Sequence, residues 1–298
     1  MMRAPLENLR ALSREGNVLE EKRLYELSEL AYFICREIKE GSIPLSSPYA
    51  FCDAVSLRLK MKVREAADSA LYKAFLENAS SVSHYTDLAA FSVFLAGELS
   101  AKSFSPFSER MGRRKNARIA YVRASVADGA YEKISHSVKD ASVLYVGSAE
   151  EACAAVAAAE ADFALLPVSY GQGERLFTVE RLTERYKMFI NSTVRMPLSD
   201  EKEAHFGLFS LSPEPAVASQ KRELALRLTA DSLESLFKLV GLCPLFGYTL
   251  KDFALTPSEY ERASARAVFG GEGNDRALWF FLSLSSCDFT LLGSYYQL

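Results

Sequence analysis

Residues Arg118–Val168 restrict the possible folds more than any other stretch, because they read as a single β-α-β unit. A short apolar strand, ARIAYV (Ala117–Val122), opens it, and a second apolar run, ASVLYVG (Ala141–Gly147), follows. An alanine-rich helix, SAEEACAAVAAAEA (Ser148–Ala161), leads to a third strand, DFALLPV (Asp162–Val168). Alanine favours helix and lets it lie close on a sheet. Glu150 and Glu151 fall in the first helical turn, where carboxylates suit the helix dipole. Strands this uniformly apolar suit a sheet covered on both faces. In such sheets a ligand sits beyond the carboxyl ends of the strands. Here that end reads Pro167-Val168-Ser169-Tyr170-Gly171, with no ionisable side chain before Glu174.

The rest of the chain sets bounds around this unit. Its 298 residues suffice for one large domain or two to three small ones. An apolar share of 49% supports real cores. A net charge of −3 supplies no basic field for nucleic acid or anionic lipid. The opening MMRAPLENLR lacks the apolar segment of a signal peptide, and no run approaches the roughly 20 apolar residues of a membrane span. The five cysteines (35, 52, 153, 243 and 287) are scattered, odd in number and form no C-x-x-C, which predicts free, mostly buried thiols and a cytoplasmic protein. Histidines 84, 136 and 205 lie far apart, so a structural zinc site is not expected.

Three segments follow from periodicity. Residues 1–108 read as a helical bundle. Val18, Leu19, Leu24, Leu27, Leu30, Ala31, Ile34, Cys35 and Ile38 recur at helical spacing, with a stop near Gly41. Further helices are predicted over about 49–77 and 87–101. The basic run RMGRRKNAR (Arg110–Arg118) has no interleaved aromatics and reads as a solvated linker rather than a nucleic-acid contact. Residues 117–213 are α/β. Residues 221–298 begin with strand Glu223–Ala230 and helix Asp231–Gly241, with Asp231 as N-cap and Gly241 as stop. Strand Gly247–Pro257 comes next, then a variable, partly helical piece, then strand ALWFFLSLSS (Ala277–Ser286) and a final strand FTLLGSYYQL. The GGEG turn reads as a hairpin loop rather than a phosphate cradle.

This order, with ARIAYV, GAYEKIS (Gly129–Ser135), SAEEACAAVAAAEADFALLPV, TLKDFALTP and above all LLGSYYQL (Leu291–Leu298), resembles a bifunctional chorismate mutase–prephenate dehydratase. The resemblance implies an α+β multidomain chain. An N-terminal mutase-like helical bundle (1–108) comes first, then an α/β half-lobe of periplasmic-binding-like type (117–213), then a truncated ACT-like ferredoxin-type module (221–298).

The departures from that family carry the functional reading. Where its dehydratases have Glu-Asn-Ser, this chain has Ser169-Tyr170-Gly171, and where they have Thr-Arg-Phe it has Ala204-His205-Phe206. Only about 35 residues stand where the family inserts a second lobe. Prephenate is a dianion that needs cations and donors on both sides, so dehydratase activity is expected to be lost. The phenylalanine-binding Gly-Ala-Leu is replaced by Glu234-Ser235-Leu236, Ala254-Leu255-Thr256-Pro257 stands for Glu-Ser-Arg-Pro, and the last ACT helix reads as missing.

A degenerate relative that binds a partner or an aromatic-pathway metabolite (chorismate, prephenate or phenylalanine) is therefore expected, without cofactor, nucleic acid or membrane. One alternative is an active chorismate mutase in which Arg10, Lys39, Arg64 and Glu65 form the electrostatic cage. Another is a homodimerising interaction protein, in which ALWFFLSLSS would be an apolar strand needing cover if left at an edge.

Overall fold

The computed structural model describes residues 3–65, 85–99, 104, 106–107, 116–136, 138, 140–171, 174–199, 202–213, 222–257, 262–285 and 287–298. The helical reading of 66–77, most of the basic run at 110–118 and most of the connector 212–221 lie outside these residues.

Among the described residues three helices come first: α1 (Arg3–Lys39), α2 (Pro48–Glu65) and α3 (Tyr85–Glu98). Helix α1 ends where expected, since Gly41 takes a left-handed φ of 78°. The α/β segment follows as β1 (Arg118–Val122), α4 (Ser125–Ser135), β2 (Ser142–Val146), α5 (Ala149–Ala157), β3 (Phe163–Tyr170), β4 (Glu174–Arg175), α6 (Phe177–Arg185), β5 (Phe189–Ser199) and β6 (Lys202–Ser210). The C-terminal module is β7 (Arg222–Ala230), α7 (Leu233–Leu242), a short 3-10 turn (Cys243–Phe246), β8 (Thr249–Thr256), β9 (Ala263–Gly270), α8 (Asp275–Leu284) and β10 (Asp288–Gln297).

The ten strands among the described residues join one sheet in the order β2-β1-β3-β6-β5-β10-β7-β9-β8, with β4 on β3. Strand β1 runs parallel to β2 and β3, and the β5/β6 hairpin returns antiparallel to β3. The seam between the α/β segment and the C-terminal module is a short parallel pairing, Tyr296 with Ser192 and Gln297 with Thr193. The module has βαββαβ order and an antiparallel sheet β10-β7-β9-β8, a ferredoxin-like topology.

Several local readings are corrected. ALWFFLSLSS is helix α8, not a strand, and Ala277 through Leu284 are all buried. A helix buried all round shows no amphipathic period, so it cannot be told from a buried strand by pattern. Strand β9 occupies much of the piece read as variable. The last helix of the module is thus present, and the module is not truncated by its loss. Helix α7 is capped by Ser232, whose side chain accepts from Ser235 N, not by Asp231. It runs past Gly241, and the left-handed stop is Gly247 at φ 84°. The GGEG turn leads from β9 into α8 rather than closing a hairpin. No phosphate cradle results, because Asn274 Oδ1 caps Ala277 N and the Asp275 carboxylate fills the first turn.

The bundle does not keep its own core. Leu27, Leu30, Ile34, Phe51, Val55, Leu88, Phe91 and Leu95 share one apolar cluster with Leu236, Leu239, Trp279, Phe280 and Phe281 of the C-terminal module. Phe51 meets the rings of Trp279 and Phe280 at 5.3 and 5.1 Å. Two further clusters sandwich the α/β sheet. One lies beneath α5 and α6 and crosses the seam to Ala225, Val268 and Tyr295, and the other lies beneath α4.

The seam explains the glycine of LLGSY. Strand β10 shifts register between Leu291 and Gly293, and a Cβ on Gly293 would stand 2.3 Å from the Ile190 carbonyl oxygen of β5. Gly293→Ala is expected to lower stability by about 1–3 kcal/mol, as overpacking does. Gly97→Ala, on α3 with nothing within 4 Å of the added Cβ, is expected to be neutral or stabilising. Thermal unfolding of the two variants side by side checks this.

The five cysteines are free, and all but Cys52 are buried. Burial pushes the Cys153 thiol up to about 11, and the Cys243 and Cys287 thiols up to about 12. At neutral pH, Ellman's reagent is expected to label Cys52 slowly and the other four only after denaturation. The same shifts predict stability that falls as pH rises above about 9, where unfolded thiols ionise first. Fast labelling of native Cys243 would contradict this packing.

Candidate functional site

The carboxyl ends of β1, β2 and β3 are where a ligand of an α/β sheet is expected. One helix N-terminus that points there, that of α5, is already engaged by this chain's own carboxylate, and α4 carries Asp128 in its first turn. At α5, Ser148 Oγ accepts from Glu151 N at 3.1 Å and Glu151 Oε2 accepts from Gly147 N at 2.8 Å, a reciprocal cap. At α4, Asp128 accepts the Tyr121 hydroxyl at 2.9 Å. Burial, the Tyr145 hydroxyl and Asp128 together hold that tyrosine protonated, well above its usual range.

Beyond the end of β3 the sheet forms a polar cleft of about 280 Å³. Its near wall carries Ser169, Thr193, Arg195 and His205, and its far wall, from the C-terminal module, carries Glu223, Lys251, Arg266 and Tyr295. The two positions that the family resemblance singles out come together here, since Ser169 of β3 pairs in register with His205 of β6. On the other side of His205 its register partner is Arg195. The far wall exists because the sheet continues through β10 into β7 and β9, turning toward the cleft the face opposite α7 and α8.

Arg195, His205 and Arg266 of this cleft face carboxylates of the same chain. Glu203 lies 3.4 Å from His205 Nε2 and 4.0 Å from an Arg195 nitrogen. Arg266 donates to Glu180 of α6 at 2.8 Å, with both side chains less than a fifth exposed. The buried Tyr295 hydroxyl interacts with Glu223 and Arg266, and burial, then the Glu223 charge, raise its pKa. Arg266 and Arg227 are direct cross-strand neighbours, an unfavourable like-charge pair. Glu180 and Glu184, one turn apart on α6, neutralise it, with Glu184 paired to Arg227. Sequence reading missed this double clasp. Its only local trace is the i, i+4 glutamate spacing in VERLTERY.

The residues read as a mutase cage are dispersed along two helices. Arg10 and Lys39 lie on the same continuous helix α1, with about 44 Å of axial rise between them. One chain therefore does not bring those two together. Lys39 is exposed at the helix end. Arg64 and Glu65 end α2, and their side chains, like that of Arg10, lie outside the described residues. Of the described cations of α2, Arg58 pairs with Glu37 of α1 at 3.1 Å and Lys60 is exposed.

Among the described residues no helix is long and apolar enough to cross a membrane. No family model matches the chain, and no curated protein matches it in sequence. Solved structures do. Prephenate dehydratase from Streptococcus mutans superposes with a TM-score of 0.51 at 17% identity, over 61% of this chain and 99% of that one. GqqA, described as a novel type of quorum quenching acylase, gives a TM-score of 0.46 at 18% identity, over 60% of this chain and 94% of that one. Prephenate dehydratase from Arthrobacter aurescens, in complex with L-Phe, gives 0.48 at 11% identity, over 60% of this chain and 90% of that one. At such identities the likeness is one of fold: over about 60% of its length this chain folds like the Streptococcus mutans prephenate dehydratase.

Proposed function

We propose that this chain is a catalytically degenerate relative of the chorismate mutase–prephenate dehydratases, which binds an aromatic-pathway metabolite or a partner and no longer dehydrates prephenate. One observation carries the reading: Arg195, His205 and Arg266 of the cleft face carboxylates of this chain. Expelling hydroxide and carbon dioxide from prephenate requires an acid beside the hydroxyl and cations for two carboxylates. Ser169 offers a neutral hydroxyl, while His205 and Arg195 share Glu203. A dianion entering here meets Glu203, Glu223 and Asp252 along with the cations.

Phenylalanine sensing of the family's kind is likewise lost in this reading. The βαββαβ module is ACT-like, but at the start of α7 Ser235 is bonded to Ser232 at 2.9 Å and to the Tyr85 hydroxyl of the bundle. Tyr85 is buried there, so bundle helix α3 covers the place the resemblance gives to the amino acid.

The chain is further read as a homodimer. Strand β8 is a sheet edge, and α1 exposes Val18, Leu19, Tyr25 and Tyr32, each more than half accessible. A clean monomer by light scattering at micromolar concentration would contradict that.

The binding reading is tested by titrating prephenate, chorismate and phenylalanine into the protein by calorimetry. Glu203→Gln, which frees Arg195 and His205, is expected to strengthen prephenate binding. No binding of any of the three, to native protein or variant, leaves a partner chain as the only ligand the reading allows.

A further inference from the structure

A second cavity adjoins the cleft and plays no part in the reading above. It holds about 370 Å³ between α6 and the C-terminal sheet, and shares only Val168, Ile190 and Arg266 with the cleft. Its walls are apolar: Val179, Met188, Ile190, Phe209 and Leu292. Its one unusual polar feature is Arg227, on the sheet face of the cavity. The guanidinium reaches Glu184 through Nη2, yet its Nε is buried and has no hydrogen-bond partner. Burial also lowers the pKa of this side chain below the usual arginine value. A partly desolvated cation lining an apolar chamber, with a donor left unsatisfied while the side chain is held by Glu184, asks for an acceptor that arrives with apolar bulk and draws the guanidinium toward the cavity.

We propose that this cavity is a binding site for a small apolar monocarboxylate, with the carboxylate received by Arg227 and the tail packed among Val179, Met188, Ile190, Phe209 and Leu292. A carboxylate is acceptor-only, and it matches the fork of a guanidinium. A single charge is specified because three cations of the lining, Lys187, Arg227 and Arg266, stand against two carboxylates, Glu180 and Glu184. The volume lies at the small end of ligand cavities and suits roughly ten to fifteen non-hydrogen atoms. The ligand competes with Glu184 for Arg227, so its arrival loosens one of the two ion pairs that clasp α6 to the C-terminal sheet, while Glu180–Arg266 holds. Occupancy is thereby linked to the seam between the two modules.

The test uses the full chain and octanoate, with octanamide as the uncharged analogue of the same length. Octanoate is expected to bind roughly tenfold tighter than octanamide by calorimetry. Arg227→Gln removes that preference. Glu184→Gln, which takes away the internal competitor, tightens octanoate severalfold. Thr290→Trp, at an exposed position lining the cavity, abolishes binding of both compounds. If Arg227→Gln fails to fold by circular dichroism, the Glu184 and Thr290 variants decide alone. No binding of octanoate at millimolar concentration, equal binding of acid and amide, or undiminished binding by Thr290→Trp overturns the proposal. None of these outcomes depends on whether prephenate is bound or converted.

Discussion

Phe281→Ala is expected to strip the chain of most of its cooperative stability, lowering it by about 3–5 kcal/mol out of the 5–15 typical of a folded domain. Phe281 is fully buried on α8 and sits between the modules, 5.1 Å from the ring of Phe246 and 6.1 Å from that of Tyr85 in the bundle. Its neighbour Phe280 is equally buried and packs on Phe51 and Phe104. Adjacent residues of a half-exposed strand would point to opposite faces, so only one of two alanine substitutions would be costly. A helix buried all round makes both costly. Urea unfolding of Phe280→Ala and Phe281→Ala therefore tests burial on every side of the segment: comparable large losses are expected, and a loss confined to one variant would mean that one of the two rings faces solvent. Because the same rings close the bundle, each variant is also expected to lose helical signal from α1–α3 in the same transition.

Arg222→Met is the second large effect, expected at about 2–4 kcal/mol. Arg222 grips Asp275 with two hydrogen bonds of 3.1 and 2.9 Å and gives its Nε to Ser294 at 2.9 Å. The Tyr248 hydroxyl donates to the same carboxylate. Both charged side chains are less than a fifth exposed, and removing one partner leaves the other charge buried and uncompensated. The partial exposure sets the expected loss somewhat under that of a fully buried pair. The double variant Arg222→Met/Asp275→Leu is expected to be more stable than Arg222→Met alone, since no stranded charge remains. A double-mutant cycle on chemical denaturation gives the coupling, and strict additivity would mean that the pair contributes nothing.

These expectations also mark where sequence was informative. The β-α-β unit was legible because its strands are short apolar runs and its helix is built on alanine, each with a plain local signal. The observed strands lie within a few residues of the reading, although the helix ends at Ala157 rather than Ala161. Helix α8 was misread because Leu278–Leu282 is apolar at every position, so period carries no information. The usable signal was Asn274-Asp275 just before it, an N-cap and an acidic first turn. Strand β9 was hidden because Arg266 interrupts its apolar run and faces the cleft instead of solvent.

The cleft was half legible. Ser169 and His205 were found through family motifs, and the structure makes them strand neighbours. Arg266, Tyr295 and Glu223 were not found, because they reach the cleft only through the pairing of β10 with β5, a register set by residues about a hundred positions apart. The sequence reading also expected nothing opposite the half-lobe. The structure instead sets the C-terminal sheet there, with Arg266 and Lys251 on it, and those cations are accompanied by Glu180, Glu223 and Asp252.

The proposed loss of dehydration rests on charge pairing, and turnover of prephenate measures it most directly. The purified 298-residue chain, incubated with prephenate near pH 7.5, is followed through the alkaline ultraviolet absorbance of phenylpyruvate. Product formation at the spontaneous rate, independent of protein concentration, is the predicted result. A rate that grows in proportion to protein and disappears in His205→Ala or Arg195→Ala would show that the cleft still works as a catalyst, and would contradict the account.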